Sequence, residues 1–91
     1  MICYRVSGEV QGVGFRRFVY LHATRLGITG HVQNLHDGSV EVVIDDRGAQ
    51  DPQVDELEGL LRQGPRFARV SALARQEILG DSEGCKSFTI K

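Results

Sequence analysis

The residues best suited to do chemistry stand in a glycine-rich segment near the N-terminus. Residues 8–16 read Gly-Glu-Val-Gln-Gly-Val-Gly-Phe-Arg, between a strand-like alternation and a helix-like one. Glycine permits tight turns and close approaches to the main chain that a Cβ atom would block. A strand-to-helix junction of this kind directs free main-chain N–H groups at one point, where they can bind a phosphate. Arg16 adds a permanent charge and a planar set of donors that match phosphate oxygens, so the segment predicts an anion site.

Two polar side chains are candidates for work on a bound anion, and each has a plainer interpretation. Arg16 stands at a helix start, where the macrodipole disfavours a cation unless an anion is bound. The plainer interpretation is an exposed arginine. Asn34 offers a donor and an acceptor, so it can hold a water molecule and a substrate oxygen together. Asparagine is uncommon inside strands, but at a strand end it can also bond its own turn, which the local sequence slightly favours.

The other reactive residue types form no convincing catalytic or metal-binding group. His31 and His36 are placed on opposite faces of a regular strand by their spacing in the sequence. Cys3 and Cys85 stand near opposite ends of the chain, outside any CxxC pattern. No serine or cysteine has an evident base partner. We therefore expect free thiols and no metal site, and if the protein is an enzyme, positioning and electrostatics must dominate its catalysis.

Composition limits the kinds of partner. The 91 residues suffice for one small domain, 1–91, and 41% hydrophobic with 25% charged residues is ordinary for a globular protein. The formal net charge of −1 provides no general attraction to nucleic acid or to an anionic membrane. No signal peptide or membrane-spanning run is evident. We therefore expect a cytoplasmic monomer that binds a small phosphorylated molecule.

Hydrophobic periodicity predicts the elements that position these residues. Period-two alternation indicates strands, and apolar residues at helical spacing indicate helices that end at Gly27 and at Gly64-Pro65. Asp37-Gly38 between two extended runs is typical of a hairpin. In chain order we predict a strand at 2–7, a helix at 15–26, strands at 31–35 and 39–44, a loop at 46–50, a helix starting at Asp51-Pro52, a strand at 70–79, a turn at 80–84 and a final strand at 88–90.

This order predicts an α+β fold of the ferredoxin-like type, which is an α/β sandwich. Two helices packed on one face of an antiparallel sheet bury both apolar stripes. The order β-α-β-β-α-β, followed by a short final strand, is the split β-α-β arrangement. This arrangement supports many functions, so it does not select one by itself.

Two motifs, taken together, resemble the signature of the acylphosphatase family. The first is Gly8-x-Val10-Gln11-Gly12-Val13-x-Phe15-Arg16, and the second is Gly30-x-Val32-x-Asn34-x-x-Asp37-Gly38-x-Val40-Glu41. Two separated motifs in the right order are far more specific than a glycine loop or an asparagine alone. The resemblance runs the full length of the chain, including both helices and the final strand.

The resemblance implies an enzyme that hydrolyses acyl phosphates to a carboxylate and inorganic phosphate, with no metal or organic cofactor. Arg16 would bind the phosphoryl group together with main-chain N–H groups, and Asn34 would orient the attacking water. The N–H groups are those of Gln11, Gly12, Val13, Gly14 and Phe15. Some members of the family carry a small polar residue where this chain has Leu35. The leucine removes an auxiliary contact that the polar residue could make, and it leaves the two main roles unaffected.

Other functions are weighed against this one. A non-catalytic module of the same fold would bind phosphate or carbamoyl phosphate, the substrate relevant to acylphosphatase-like domains inside a hydrogenase-maturation carbamoyltransferase. Such a binder would be expected to lose Arg16 or Asn34. An RNA-binding sheet requires exposed aromatic residues and a basic surface, and a copper carrier requires a CxxC. A stand-alone hydrolase is the favoured hypothesis, with an acyl phosphate and inorganic phosphate as its partners.

Overall fold

The computed structural model describes residues 1–45, 51–78 and 87–91. Within them the elements are β1 (Ile2–Glu9), α1 (Phe15–Arg25), β2 (Thr29–Asn34), β3 (Val40–Asp45), α2 (Asp51–Gln63), β4 (Arg69–Glu77) and β5 (Phe88–Ile90). The predicted order of helices and strands is therefore confirmed. The predicted loop at 46–50, the turn at 80–84 and Cys85 lie outside the described residues.

The strands form one five-stranded sheet in the order β4-β1-β3-β2-β5. The pairs β1–β3, β1–β4 and β2–β3 are antiparallel, as predicted. The short final strand instead pairs parallel with β2, from Gly30 opposite Phe88 to Val32 opposite Ile90. The sheet is therefore mixed, and its antiparallel part matches the ferredoxin-like α+β prediction. The parallel pair matters for function because it brings the last described residues beside the end of β2.

One hydrophobic core lies between one face of the sheet and the two helices. Alternation places every second residue of each strand on this face, for example Val40, Val42 and Ile44 of β3, which are fully buried. The helices close the core from the same side with their buried apolar residues. Those residues are Phe15, Val19 and Ala23 from α1, and Val54, Leu57 and Leu61 from α2.

Hydrogen bonds to Glu58 connect two strands of the sheet to α2. Tyr4 of β1 is fully buried, and its hydroxyl donates a hydrogen bond to Glu58 Oε1 at 3.1 Å. Arg75 Nη1 of β4 donates to the same oxygen at 2.9 Å. Burial, and next the nearby Glu58 carboxylate, raise the pKa of Tyr4, so the phenol stays protonated as the donor. The Glu58 carboxylate also lies 3.7 Å from Arg62, one helical turn further along α2.

We expect Tyr4→Phe to lower the free energy of unfolding by about 1–2 kcal/mol, because it removes a hydrogen bond to the charged Glu58 carboxylate. The loss is limited because Arg75 still donates a hydrogen bond to the same carboxylate oxygen. Urea unfolding followed by circular dichroism measures the change. Tyr20→Phe is the matched control, since Tyr20 is partly exposed and loses no hydrogen bond to the described part of the chain. A loss of equal size in both variants would contradict a specific role for the Tyr4 hydroxyl.

Candidate active site

The two residues singled out from the sequence, Arg16 and Asn34, line one pocket at the end of the sheet where β1 leads into α1. The pocket has a volume of about 220 Å³. Sites for drug-sized molecules usually have roughly 300–1,000 Å³, so this one suits a small ligand. Its lining residues are Val10, Gly12, Gly14, Phe15, Arg16, Arg17, Asn34 and Ile90.

The N-terminus of α1 supplies main-chain donors to this pocket. Gly14 is the N-cap residue with φ of 80°, a left-handed conformation that favours glycine. Its carbonyl oxygen accepts the first helical hydrogen bond, from Phe18 N at 3.0 Å. No described side chain caps the helix, and its first turn contains no acidic residue. The first N–H groups of α1 are therefore left to a ligand, at the positive end of the helix dipole.

A second glycine sets the direction in which the chain enters the loop. Gly8 has φ of 127°, and a Cβ at this position would collide with the main-chain oxygen of Arg69 on β4. The register between β1 and β4 shifts between Ser7 and Gly8, as in a β-bulge. Bulges bend a strand and aim the chain that follows. A side chain at residue 8 would therefore displace the loop that leads to Gly14.

Arg16 is exposed in the first turn of α1, lines the pocket and extends towards the end of β5. Its Nη1 donates a hydrogen bond to the main-chain oxygen of Lys91 at 3.2 Å. This is the one polar contact of its guanidinium with the part of the chain that is described. Guanidinium carries five N–H donors in a planar fork, so most of them are available to an anion. The helix dipole disfavours a cation at a helix start, and this first turn has no acidic residue to offset it. A negatively charged ligand in the pocket would supply that compensation.

Asn34 is the last residue of β2 and lies beyond the edge of the core. Alternation places it on the same face of the sheet as Gly30 and Val32, which is the face that the helices cover. Its side chain is exposed, and the side-chain amide forms no hydrogen bond with another residue in the described ranges. The turn after it is closed by Asp37, whose Oδ1 accepts a hydrogen bond from Ser39 N at 2.9 Å. The structure thus leaves the Asn34 amide free for a ligand, and the interpretation as a turn-bonding residue is not observed.

Gln11 has a role that its sequence motif did not reveal. Its side chain turns away from the pocket, and Nε2 donates to the carbonyl oxygen of Leu35 at 2.8 Å and of Ser39 at 2.9 Å. Leu35 and Ser39 belong to the turn between β2 and β3, directly after Asn34. These two hydrogen bonds, called the Gln11 brace below, hold the glycine loop against the turn next to Asn34. Its main-chain N–H as a phosphate donor stays a prediction.

The other predicted phosphate-binding residues fall into two groups. Gly12, Gly14 and Phe15 line the pocket with Arg16. Val13 packs against the core instead, as a partly buried apolar residue, so only its main chain can serve an anion. Arg17 and Ile90 also line the pocket and were not predicted. Ile90 could not be found from local sequence, because only the pairing of β5 with β2 brings it there.

Two reactive residues that the sequence analysis set aside, Cys3 and His31, lie on the face of the sheet that the helices do not cover. Cys3 is a free thiol, and burial, then the Glu41 carboxylate, raise its pKa. His31 Nε2 lies 3.7 Å from Glu41, and burial lowers the pKa of that imidazole. Within residues 1–45, 51–78 and 87–91, no three His, Cys, Asp or Glu residues are grouped to hold a metal ion. None of the described helices is long and apolar enough to cross a membrane.

Fold and pocket together define a class: small α/β sandwiches with a glycine-rich loop and a pocket at the start of the first helix. The family model described as acylphosphatase matches residues 2–90. The chain therefore belongs to the acylphosphatase family, and the predicted resemblance and hydrolase class are confirmed.

Individual relatives agree with this membership. An acylphosphatase of Caldivirga maquilingensis is 47% identical over 85 residues, which cover 92% of this chain and 82% of the relative. A solved structure of an acylphosphatase from Coxiella burnetii superposes with a TM-score of 0.87 at 36% identity, over 99% of this chain and 90% of that one. HypF of T. kodakarensis is similar with a TM-score of 0.81 at 31% identity, over 99% of this chain and only 11% of HypF.

Proposed function

We propose that this protein hydrolyses acyl phosphates to a carboxylate and inorganic phosphate in the pocket between the glycine loop and the end of β2, without a metal ion. The reaction makes it a hydrolase of phosphorus-containing acid anhydrides. The observation that carries the proposal is the convergence of Arg16, Asn34 and the uncapped N-terminus of α1 on one small pocket. Family membership supports the same reaction class.

The phosphoryl group would bind at the glycine loop. Phosphoryl transfer places negative charge on the equatorial oxygens of the transition state, and catalysis consists largely of stabilising that charge and aligning the reactants. Main-chain N–H groups of residues 11–15 and the Arg16 guanidinium supply fixed donors for those oxygens. Because these donors are held by the helix start and the loop, little reorganisation is needed when charge develops.

Water would attack the phosphorus under the direction of Asn34. The side-chain oxygen of Asn34 accepts a hydrogen bond from the water, whose oxygen forms the new P–O bond. The bond between phosphorus and the acyl oxygen breaks, and the electron pair leaves on the carboxylate. The water proton passes to an oxygen of the substrate's own phosphoryl group. A carboxylate is a good leaving group, so the chemistry needs no general acid.

Hydrolysis of benzoyl phosphate and acetyl phosphate by the purified protein in EDTA tests the proposal. We expect turnover well above the uncatalysed rate, unchanged by the chelator. Folded protein that binds inorganic phosphate but gives no turnover would contradict the proposal and favour a binding module. The monomeric state and cytoplasmic location stay predictions, to be tested by sedimentation and fractionation.

The Gln11 brace leads to a further prediction for the same site. Gln11→Met keeps the length of the side chain and removes both hydrogen bonds to the turn after Asn34. The two bonds are worth about 1 kcal/mol each, and the loop becomes less ordered without them. We expect the inhibition constant of inorganic phosphate to rise about tenfold, since a loss of about 1.4 kcal/mol corresponds to that factor.

Gln33→Met is the matched control for Gln11→Met. Gln33 also donates through Nε2, to Glu41 at 2.7 Å, but on the other face of the sheet. Its replacement should leave the phosphate inhibition constant near the wild-type value. If Gln11→Met lowers the melting temperature but leaves phosphate inhibition unchanged, the side chain stabilises the fold without positioning the loop.

A further inference from the structure

We propose that Ile90 forms an apolar wall of the pocket that contacts the acyl group, so that this protein favours acyl phosphates with an alkyl chain or an aromatic ring over acetyl phosphate. The inference rests on the proposed function, because it assigns a substrate class to the same site. It concerns the end of the substrate that the glycine loop does not hold.

Among the described residues that line the pocket, Ile90 is the apolar side chain with exposed surface. Its side chain is 44% exposed, whereas Val10 and Phe15, which also line the pocket, are each 1% exposed. The remaining described lining residues are glycines, arginines and Asn34. A ligand that removes apolar surface from water in this pocket therefore does so mainly against Ile90, and such burial is favourable.

The main chain fixes Ile90 in place independently of its side chain. Ile90 lies opposite Val32 in the parallel pair of β5 and β2, and Lys91 N donates to the carbonyl oxygen of Val32 at 2.9 Å. Phe88, on the same face of β5, is buried in the core. Ile90 thus belongs to a paired strand, and the main chain holds the residue at the pocket before a substrate binds. Preorganisation of this kind reduces the entropic cost of binding.

The position of Arg16 links this wall to the reacting group. Arg16 Nη1 bonds the main-chain oxygen of Lys91, the residue directly after Ile90. A phosphoryl group held by Arg16 therefore lies beside the end of β5, and the acyl group attached to that phosphoryl group extends from the same place. The methyl group of acetyl phosphate offers little surface to Ile90, whereas an aromatic ring or a longer chain offers more.

The test compares benzoyl phosphate with acetyl phosphate in the wild type and in Ile90→Ala. A single methylene in a hydrophobic pocket changes specificity by roughly tenfold or more. Ile90 is half-exposed and the variant loses three carbon atoms, so we expect kcat/KM for benzoyl phosphate to fall about tenfold, mainly through KM. The value for acetyl phosphate and the inhibition constant of inorganic phosphate should change less than about twofold. Ile90→Leu should retain the preference for benzoyl phosphate.

Leu21→Ala is the matched control, because Leu21 is an aliphatic side chain of α1 that is 49% exposed and does not line the pocket. This variant should leave kcat/KM unchanged for both benzoyl phosphate and acetyl phosphate. An equal fall for both substrates in Ile90→Ala, or no fall for either, would overturn the acyl contact while the wild type remains an active hydrolase. Absence of wild-type turnover would instead overturn the proposed function, and the acyl contact with it.

Discussion

Arg16→Ala should reduce kcat/KM for acyl phosphate hydrolysis by at least about 10²–10³-fold, the loss typical of removing one preorganised donor from a site of developing negative charge. Arg16 supplies a full charge as well as a planar fork of donors. The fork has one described partner, the main-chain oxygen of Lys91, so the remaining donors can follow the phosphoryl oxygens. The same variant should weaken inhibition by inorganic phosphate, since the arginine also binds the phosphoryl group in the ground state. Initial rates at varied substrate and phosphate concentrations measure both effects.

Two further variants show whether the loss belongs to the position and geometry of Arg16. Arg16→Lys keeps the charge and loses the planar fork, so it should restore part of phosphate binding and less of the rate. Arg25→Ala removes an arginine from the same helix, where it forms an exposed ion pair with Glu56 at 2.8 Å. Exposed pairs contribute about 0–1 kcal/mol, so this variant should behave as wild type in both assays. Unchanged phosphate inhibition in Arg16→Ala would contradict a phosphate-binding arginine.

Asn34→Ala should lower kcat by about 10²-fold, a loss known from small misplacements of a reacting group. The structure supports a water-orienting role because the Asn34 amide is exposed at the pocket and the following turn is closed by Asp37 and Ser39 instead. The amide would act on the attacking water and not on the bound phosphate. Inhibition by inorganic phosphate should therefore change little. Steady-state kinetics together with phosphate inhibition separates the two parameters.

The fold itself should tolerate the loss of Asn34. An exposed residue at a strand end contributes little packing, and surface substitutions of this kind usually change stability by less than about 0.5 kcal/mol. Gln33→Ala, one residue earlier and directed at Glu41 on the other face, is the neighbouring control and should keep wild-type kcat. If phosphate affinity and kcat fall together in Asn34→Ala, the residue binds phosphate and does not orient water.

The sequence alone was sufficient to predict the order of the helices and strands. Helices and strands follow from local periodicity, which is why α1, α2 and the β2–β3 hairpin stand where alternation, Gly27 and Asp37-Gly38 predicted them. Boundaries shifted by a few residues. The predicted strand at 2–7 runs to Glu9, because its pairing with β4 continues beyond the shift at Gly8.

The local motif also predicted where in the chain a site would lie, and the structure has a pocket there, lined by Gly12, Gly14 and Arg16; that this pocket binds an anion stays a prediction. A glycine at the N-cap and an arginine in the first turn follow one another in sequence, so their chemistry can be read without a fold. The resemblance to the acylphosphatase family rested on this motif together with the second motif around Asn34, and the family model confirms it over 2–90. The individual roles of Arg16 and Asn34 stay predictions until the variants are measured.

Tertiary structure alone decided which distant residues share the pocket. The pairing of β1 with β3, and of β3 with β2, brings the end of β2 and thus Asn34 beside the glycine loop. The parallel pairing of β5 with β2 adds Ile90 and the Lys91 contact to Arg16. Strand order depends on burial and main-chain pairing between remote segments, and the local pattern of a short strand is the same for any neighbour. The two hydrogen bonds of the Gln11 side chain likewise exist only because folding places two loops within reach of one amide.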